Sequence, residues 1–116
     1  MFEYSAEVKR VVDGDTYDLV VDLGFNIKHT IRVRLDGIDT PELFRPRNSA
    51  ERSHAVEAAE FASNQVLSRS VILRTKKDKT GKYGRYIASI HYGRNFEYDL
   101  TQELISNGFS KRGEYL

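Results

Sequence analysis

A chain of 116 residues, 40% hydrophobic and 30% charged, has the size of one domain, 1–116, and a chain this long buries roughly 65% of its unfolded surface on folding. Folding needs neither a disulfide nor a metal, and the lack of cysteine suits an exported or a reduced compartment alike. No apolar run is long enough to span a bilayer, so no membrane association is expected. The start, Met1-Phe2-Glu3-Tyr4, carries an acid with no hydrophobic stretch behind it, so no signal peptide is expected. The chain is read as acting where it is made, in the cytoplasm, unless a leader has been removed, in which case it is secreted. The net charge of +1 hides a local bias. Arg69, Arg74, Lys76, Lys77, Lys79, Lys82 and Arg85 face Asp78 alone, a stretch of +6. A solvated loop can carry such a stripe, but a phosphate backbone is the better partner for it.

In chain order, residues 7–12 and 16–23 read as a hairpin, with Val8, Val11, Val12, Leu19, Val20 and Val21 supplying the apolar positions. Asp13-Gly14-Asp15 joins the two strands, with Gly14 free to take positive φ. Gly24-Phe25-Asn26 makes the next turn, and 28–35 returns as a third strand, completing an antiparallel meander. A helix follows, capped by Asn48 with Glu51 three residues on, in a capping-box-like arrangement. Ala55, Ala59, Ala62 and Val66 recur at helical spacing, and Glu51, Arg52, Glu57, Glu60 and Asn64 are expected to face water. Residues 71–75 form a fourth strand, 76–84 an exposed basic loop, and 86–92 a fifth strand ending at Gly93-Arg94-Asn95. A second helix covers 100–107, capped by Asp99 and closed by Gly108. Five strands with a helix between the third and fourth predict an α+β fold, mainly β: a five-stranded OB-type barrel with two helices.

The stretch from Arg32 to Glu42 organises the chemistry. Ile31, Val33 and Leu35 alternate with Arg32 and Arg34 at the strand period, and then Gly37 and Pro41 break the strand. Asp39, Thr40 and Glu42 therefore fall on a loop just past the end of a rigid element. A guanidinium, carboxylates and a hydroxyl in one short segment are what a phosphodiester-cleaving site needs: a ligand for a hard metal, a base, and a cation for phosphate. Asp13-Gly14-Asp15-Thr16 offers further carboxylates, and Lys82-Tyr83-Gly84-Arg85 offers a second arginine. An all-oxygen donor set with few histidines and no cysteine favours Ca²⁺ or Mg²⁺ over zinc or copper.

Asp-Gly-Asp-Thr at 13–16, Arg34 followed by Asp39-Thr40-Pro41-Glu42, and Lys-Tyr-Gly-Arg at 82–85 occur in this order. Together they resemble the micrococcal nuclease (thermonuclease) family over nearly the whole chain, from residue 6 to residue 115. The resemblance implies a calcium-dependent phosphodiesterase that hydrolyses DNA and RNA by in-line attack of water and leaves 3′-phosphate products. It implies Asp15, Asp39 and the Thr40 carbonyl as Ca²⁺ ligands, with Glu42 as general base and Arg34 and Arg85 as catalytic phosphate clamps. Lys82, Tyr83 and Tyr115 resemble substrate contacts, and Asp13 resembles an outer acidic residue behind the metal. Stacking on tyrosine is sequence-tolerant, so single strands and frayed ends are the favoured substrates.

The alternative is a non-catalytic nucleic-acid- or protein-binding module of the same fold. Such a module would have no reason to keep Asp15, Arg34, Asp39, Glu42 and Arg85 together. The three histidines, His29, His54 and His91, lack ligand spacing and read as surface or packing residues. The family's usual third, C-terminal helix is absent from this pattern, and its loss would expose apolar barrel surface. A monomer is expected, with self-association through that surface left open.

Overall fold

The computed structural model describes residues 2–80 and 85–115. In chain order these form β1 (Phe2–Asp13), β2 (Thr16–Asp22), β3 (Lys28–Leu35), α1 (Ser49–Val66), β4 (Ser70–Thr80), β5 (Tyr86–Tyr92), β6 (Tyr98–Asp99) and α2 (Leu100–Ser106). The sheet order is β3-β2-β1-β4-β5-β6, and a parallel pairing of β3 with β5 closes five strands into a barrel. This is the mainly β, OB-type barrel with two helices that the pattern predicts.

The strands form because their apolar residues keep a period of two and one face of each is buried. Tyr17, Leu19 and Val21 of β2 and Val33 and Leu35 of β3 point into the barrel, with Ala88 and Ile90 of β5 across from them. Helix α1 lays a narrow alanine stripe on the barrel, ending in Ala62 and Val66, and α2 adds Leu100 and Leu104. Small residues let the helix sit close, so truncating a large neighbour such as Leu104 to Ala is expected to cost about 2–5 kcal/mol.

Two boundaries and one element differ most from expectation, each for want of a long-range partner that sequence cannot show. β1 starts at Phe2 because β4 supplies a mate for every residue from Phe2 to Glu7. β4 continues to Thr80, so the basic stretch expected as a loop from residue 76 begins in a strand, while 81–84 lie outside the described residues. The short β6 was not expected and pairs with the end of β5.

Both caps form as predicted. The Asn48 side chain accepts from the Glu51 amide at 3.0 Å, and Asp99 accepts from the Thr101 amide at 3.0 Å. Glu51 does not complete a capping box, and it does not face water: its side chain is fully buried.

Candidate functional site

Barrel closure sets the site. Thr16 of β2 pairs with Arg34 of β3, and Arg34 also pairs with Ile87 of β5, two residues beyond Arg85. Arg85 immediately precedes β5 and reaches Thr16, so Arg34 and Arg85 come to the same end of the barrel beside the β1–β2 turn. A register shift between Val11 and Asp13 marks a β-bulge just before that turn. The Leu35 amide donates to the Asp15 carbonyl at 2.9 Å, tying the turn to the end of β3.

Within the turn, Asp13 Oδ1 accepts from the Asp15 amide at 3.1 Å, which makes Asp13 the residue that caps the turn. Asp15 is buried. Its Oδ2 accepts from the Thr40 amide at 3.0 Å, and its Oδ1 accepts from the Thr16 hydroxyl at 3.1 Å. Gly14 does not take the positive φ expected of it. Its reason is close approach: a Cβ there would lie 2.8 Å from the Thr40 side chain. Thr40 is itself buried, and its Oγ1 has no hydrogen-bond partner among the described residues.

Arg34 joins the acids. Nη1 donates to the Leu35 and Ile38 carbonyls at 2.9 and 2.8 Å, which fixes the plane of the guanidinium. Nη2 is hydrogen-bonded to Asp39 Oδ1 and lies 3.6 Å from Asp15 Oδ2. One nitrogen thus meets both carboxylates expected as metal ligands. Arg85 Nη1 donates to Thr16 Oγ1 at 3.4 Å, one hydroxyl away from Asp15. Arg32 points elsewhere, forming a bidentate pair with Asp18 at 2.8 and 3.0 Å on the exposed side of the sheet. An open hollow of about 350 Å³ runs along residues 34–39 and Ile87.

The acids divide the local charge. Burial pushes the Asp15 carboxyl up, but the hydrogen bond from Asp13, the Thr40 amide and the Arg34 charge outweigh it and hold Asp15 below its ordinary value. Asp13 goes the other way, pushed up to about 7 by burial first and then by Asp15 beside it. The Glu42 charge adds a little to that push on Asp13.

The donors fit a hard cation. Asp15, Asp39 and Thr40 offer oxygen only, and a positive nitrogen already meets both carboxylates. Among the described residues no three carboxylate or imidazole side chains gather for a metal, so a cation here would rest on two carboxylates and a backbone carbonyl.

Glu42 is exposed on the loop after β3, and its backbone is held by a residue that the sequence pattern reads as solvated. Glu51 Oε2 accepts from the Glu42 amide at 2.9 Å, and Oε1 accepts from the Arg47 amide and from Arg47 Nε, both at 3.0 Å. Lys111 Nζ lies 3.6 Å from Oε2. The amides of Glu42 and Arg47 hold the Glu51 carboxyl at about 2 against its burial.

Tyr115, expected as a substrate contact, is buried against the start of α1, with the Arg47 guanidinium over its ring. Its hydroxyl is 2.6 Å from His54 Nδ1 and accepts from the Arg112 amide at 3.1 Å. His54 Nε2 donates to the Gly108 carbonyl at 2.7 Å, so Nδ1 accepts from Tyr115 and His54 is a packing residue, as read. Lys82 and Tyr83 lie outside the described residues.

Fold and site together define an OB-type barrel that gathers carboxylates and arginines where its β1–β2 turn meets the end of β3. The chain belongs to the staphylococcal nuclease homologue family, whose profile matches residues 32–115. That span holds Arg34, Asp39, Glu42 and Arg85, while Asp13 and Asp15 precede it. The chain is 35% identical over 97 residues to a thermonuclease of Staphylococcus intermedius, covering 83% of this chain and 54% of that protein. It is 30% identical over 100 residues to a micrococcal nuclease of Shigella flexneri, covering 86% and 49%. It is also 36% identical over 88 residues to the Escherichia coli protein ParB, covering 76% and 42%. The chain therefore spans about half the length of the curated relatives it matches.

Proposed function

We propose that this chain is a calcium-dependent nuclease that hydrolyses phosphodiesters of DNA and RNA. The observation that carries the reading is the position of Arg34, whose Nη2 meets Asp15 and Asp39 while Arg85 stands one hydroxyl away. Two acids and two arginines brought together at one end of the barrel suit a phosphate and a cation together.

Asp15, Asp39 and the Thr40 carbonyl would hold Ca²⁺, which when bound supplies Lewis acidity to a phosphoryl oxygen. The rest is the work of side chains. Arg34, braced by two backbone carbonyls, presents its Nη2 edge to a phosphate oxygen, and Arg85, just before β5, presents a second guanidinium. Glu42 takes a proton from a water as the water oxygen attacks phosphorus. The bond to the 5′-oxygen breaks, that oxygen takes up a proton, and the product keeps a 3′-phosphate. Both arginines hold the pentacovalent state more tightly than the ground state, because negative charge builds on its equatorial oxygens. Lys82 and Tyr83 are proposed to touch the neighbouring phosphate and base, and Asp13 to stand behind Asp15.

The test is digestion of single-stranded DNA with Ca²⁺ and with a Ca²⁺ chelator, by the wild type, Glu42→Gln and Arg85→Ala. Each variant is expected to lose at least ~100-fold in rate, and the chelator to stop the wild type. Equal, chelator-insensitive cleavage by all three proteins would overturn the reading, and DNA binding without cleavage would favour a binding module.

A further inference from the structure

The general base of this proposal sits on a loop without regular structure, between the end of β3 and α1, and an exposed glutamate there has no rigid element of its own. The described structure supplies one from outside the loop. Glu51 is fully buried in the first turn of α1 and points its carboxylate back at the loop. One oxygen takes the Glu42 amide, and the other takes both the amide and Nε of Arg47. The loop is thus pinned at both ends of the span 42–47 by one side chain. The same anchor reaches the C-terminal segment. Lys111 approaches Glu51 through its ammonium, while its backbone amide donates to the Asp39 carbonyl at 2.7 Å. Arg47 in turn donates to the carbonyls of Arg112 and Gly113, each at 2.9 Å.

We propose that Glu51 is a positioning residue of the site, a buried carboxylate that sets the backbone of Glu42 directly and that of Asp39 through Lys111. A buried carboxylate is costly unless it is paired and hydrogen-bonded, and helix packing alone does not require one here, since Ala55 and Ala58 serve the next turns of the same stripe. What the carboxylate adds is two fixed amide positions on the loop that carries the base. A metal ligand and the base are thereby held from a common point, and a displacement of about 1 Å at such a loop can cost ~100-fold in rate.

This inference rests on the nuclease reading for its catalytic consequence but not for its structural one, so two readouts are needed. The first is amide hydrogen exchange at Glu42 and Arg47 in the folded protein, which is independent of activity. Glu51→Gln should speed exchange at both amides by at least ~10-fold while protection in the barrel strands is kept. The second is single-stranded DNA cleavage at saturating Ca²⁺. Glu51→Gln should lower kcat by ~10–100-fold with little change in KM, and should cost less in the Glu42→Gln background than in the wild type, because its direct contact acts through Glu42. Glu60→Gln, an exposed glutamate of the same helix, should leave both readouts as in the wild type.

Should Glu51→Gln fail to fold, Lys111→Met tests the same link from the partly exposed end, with the same signs and smaller size. Unchanged exchange at Glu42 and Arg47 in a folded variant would overturn the proposal. So would a Glu51→Gln loss that multiplies in full with that of Glu42→Gln. A wild type that never cleaves DNA would remove the nuclease reading while leaving the exchange result to stand or fall alone.

Discussion

Asp15 Oδ2 accepts a hydrogen bond from the Thr40 amide at 3.0 Å, although the two residues are 25 positions apart. That bond holds the turn between β1 and β2 against the loop after β3, where the proposed cation site lies. Gly14 permits the approach, since its missing Cβ is the space that the Thr40 side chain fills.

Gly14→Ala is therefore expected to push the two segments apart. Its backbone is not in the left-handed region, so the clash acts alone, and overpacking of this kind costs about 1–3 kcal/mol. Denaturant unfolding should show that loss, and Ca²⁺ affinity should fall with it. A variant as stable as the wild type with unchanged Ca²⁺ binding would mean that the loop gives way without consequence.

Arg34→Lys keeps the charge and loses the fork. A lysine cannot brace itself on the Leu35 and Ile38 carbonyls and also meet Asp39 and Asp15. Cleavage should fall by ~100-fold with the fold intact by circular dichroism. Near wild-type turnover would show that only charge is needed there.

Glu51 gives a pH dependence of definite sign. Its folded-state value of about 2 lies below its ordinary 4.5, so the stability it contributes is complete above pH 4.5 and is lost as pH falls toward 2. The urea midpoint of the wild type should drop across that window. Glu51→Gln should be less stable at neutral pH and flatter between pH 4.5 and 2. Parallel profiles for the two proteins would place the acid sensitivity elsewhere.

Tyr115→Phe separates packing from substrate contact. Removing the hydroxyl leaves His54 Nδ1 and the Arg112 amide short of a partner, at a cost of about 0.5–1.5 kcal/mol. Unfolding should record that cost while KM for single-stranded DNA moves less than ~2-fold. A raised KM without loss of stability would return Tyr115 to the substrate.

The strand positions of the site were legible because turn residues and a period of two are local signals. Asp15, Arg34 and Asp39 sit where Gly14, the alternation of β3 and Gly37 put them. Their meeting is set by the β2–β3 register and by closure of β3 on β5, long-range pairings that a linear pattern implies only through the fold. In sequence Gly14 looks like a conformational glycine, yet its role is steric and belongs to a residue far along the chain. Glu51 was read as solvated because glutamates usually are. A signal was present: stepping back four residues from Ala55 along the buried stripe lands on Glu51, just after the basic Arg47. Tyr115 was placed by resemblance alone, and its burial depends on His54 and Arg47, neither of which is its neighbour in sequence.

The most direct test of the shared cation site is calorimetric titration of Ca²⁺ into the wild type, Asp15→Asn and Asp39→Asn. One site is predicted in the wild type, with each variant weakened by at least ~10-fold. Wild-type protein that takes up no Ca²⁺, or variants that bind it as tightly as the wild type, would contradict the claim that these two carboxylates serve one ion.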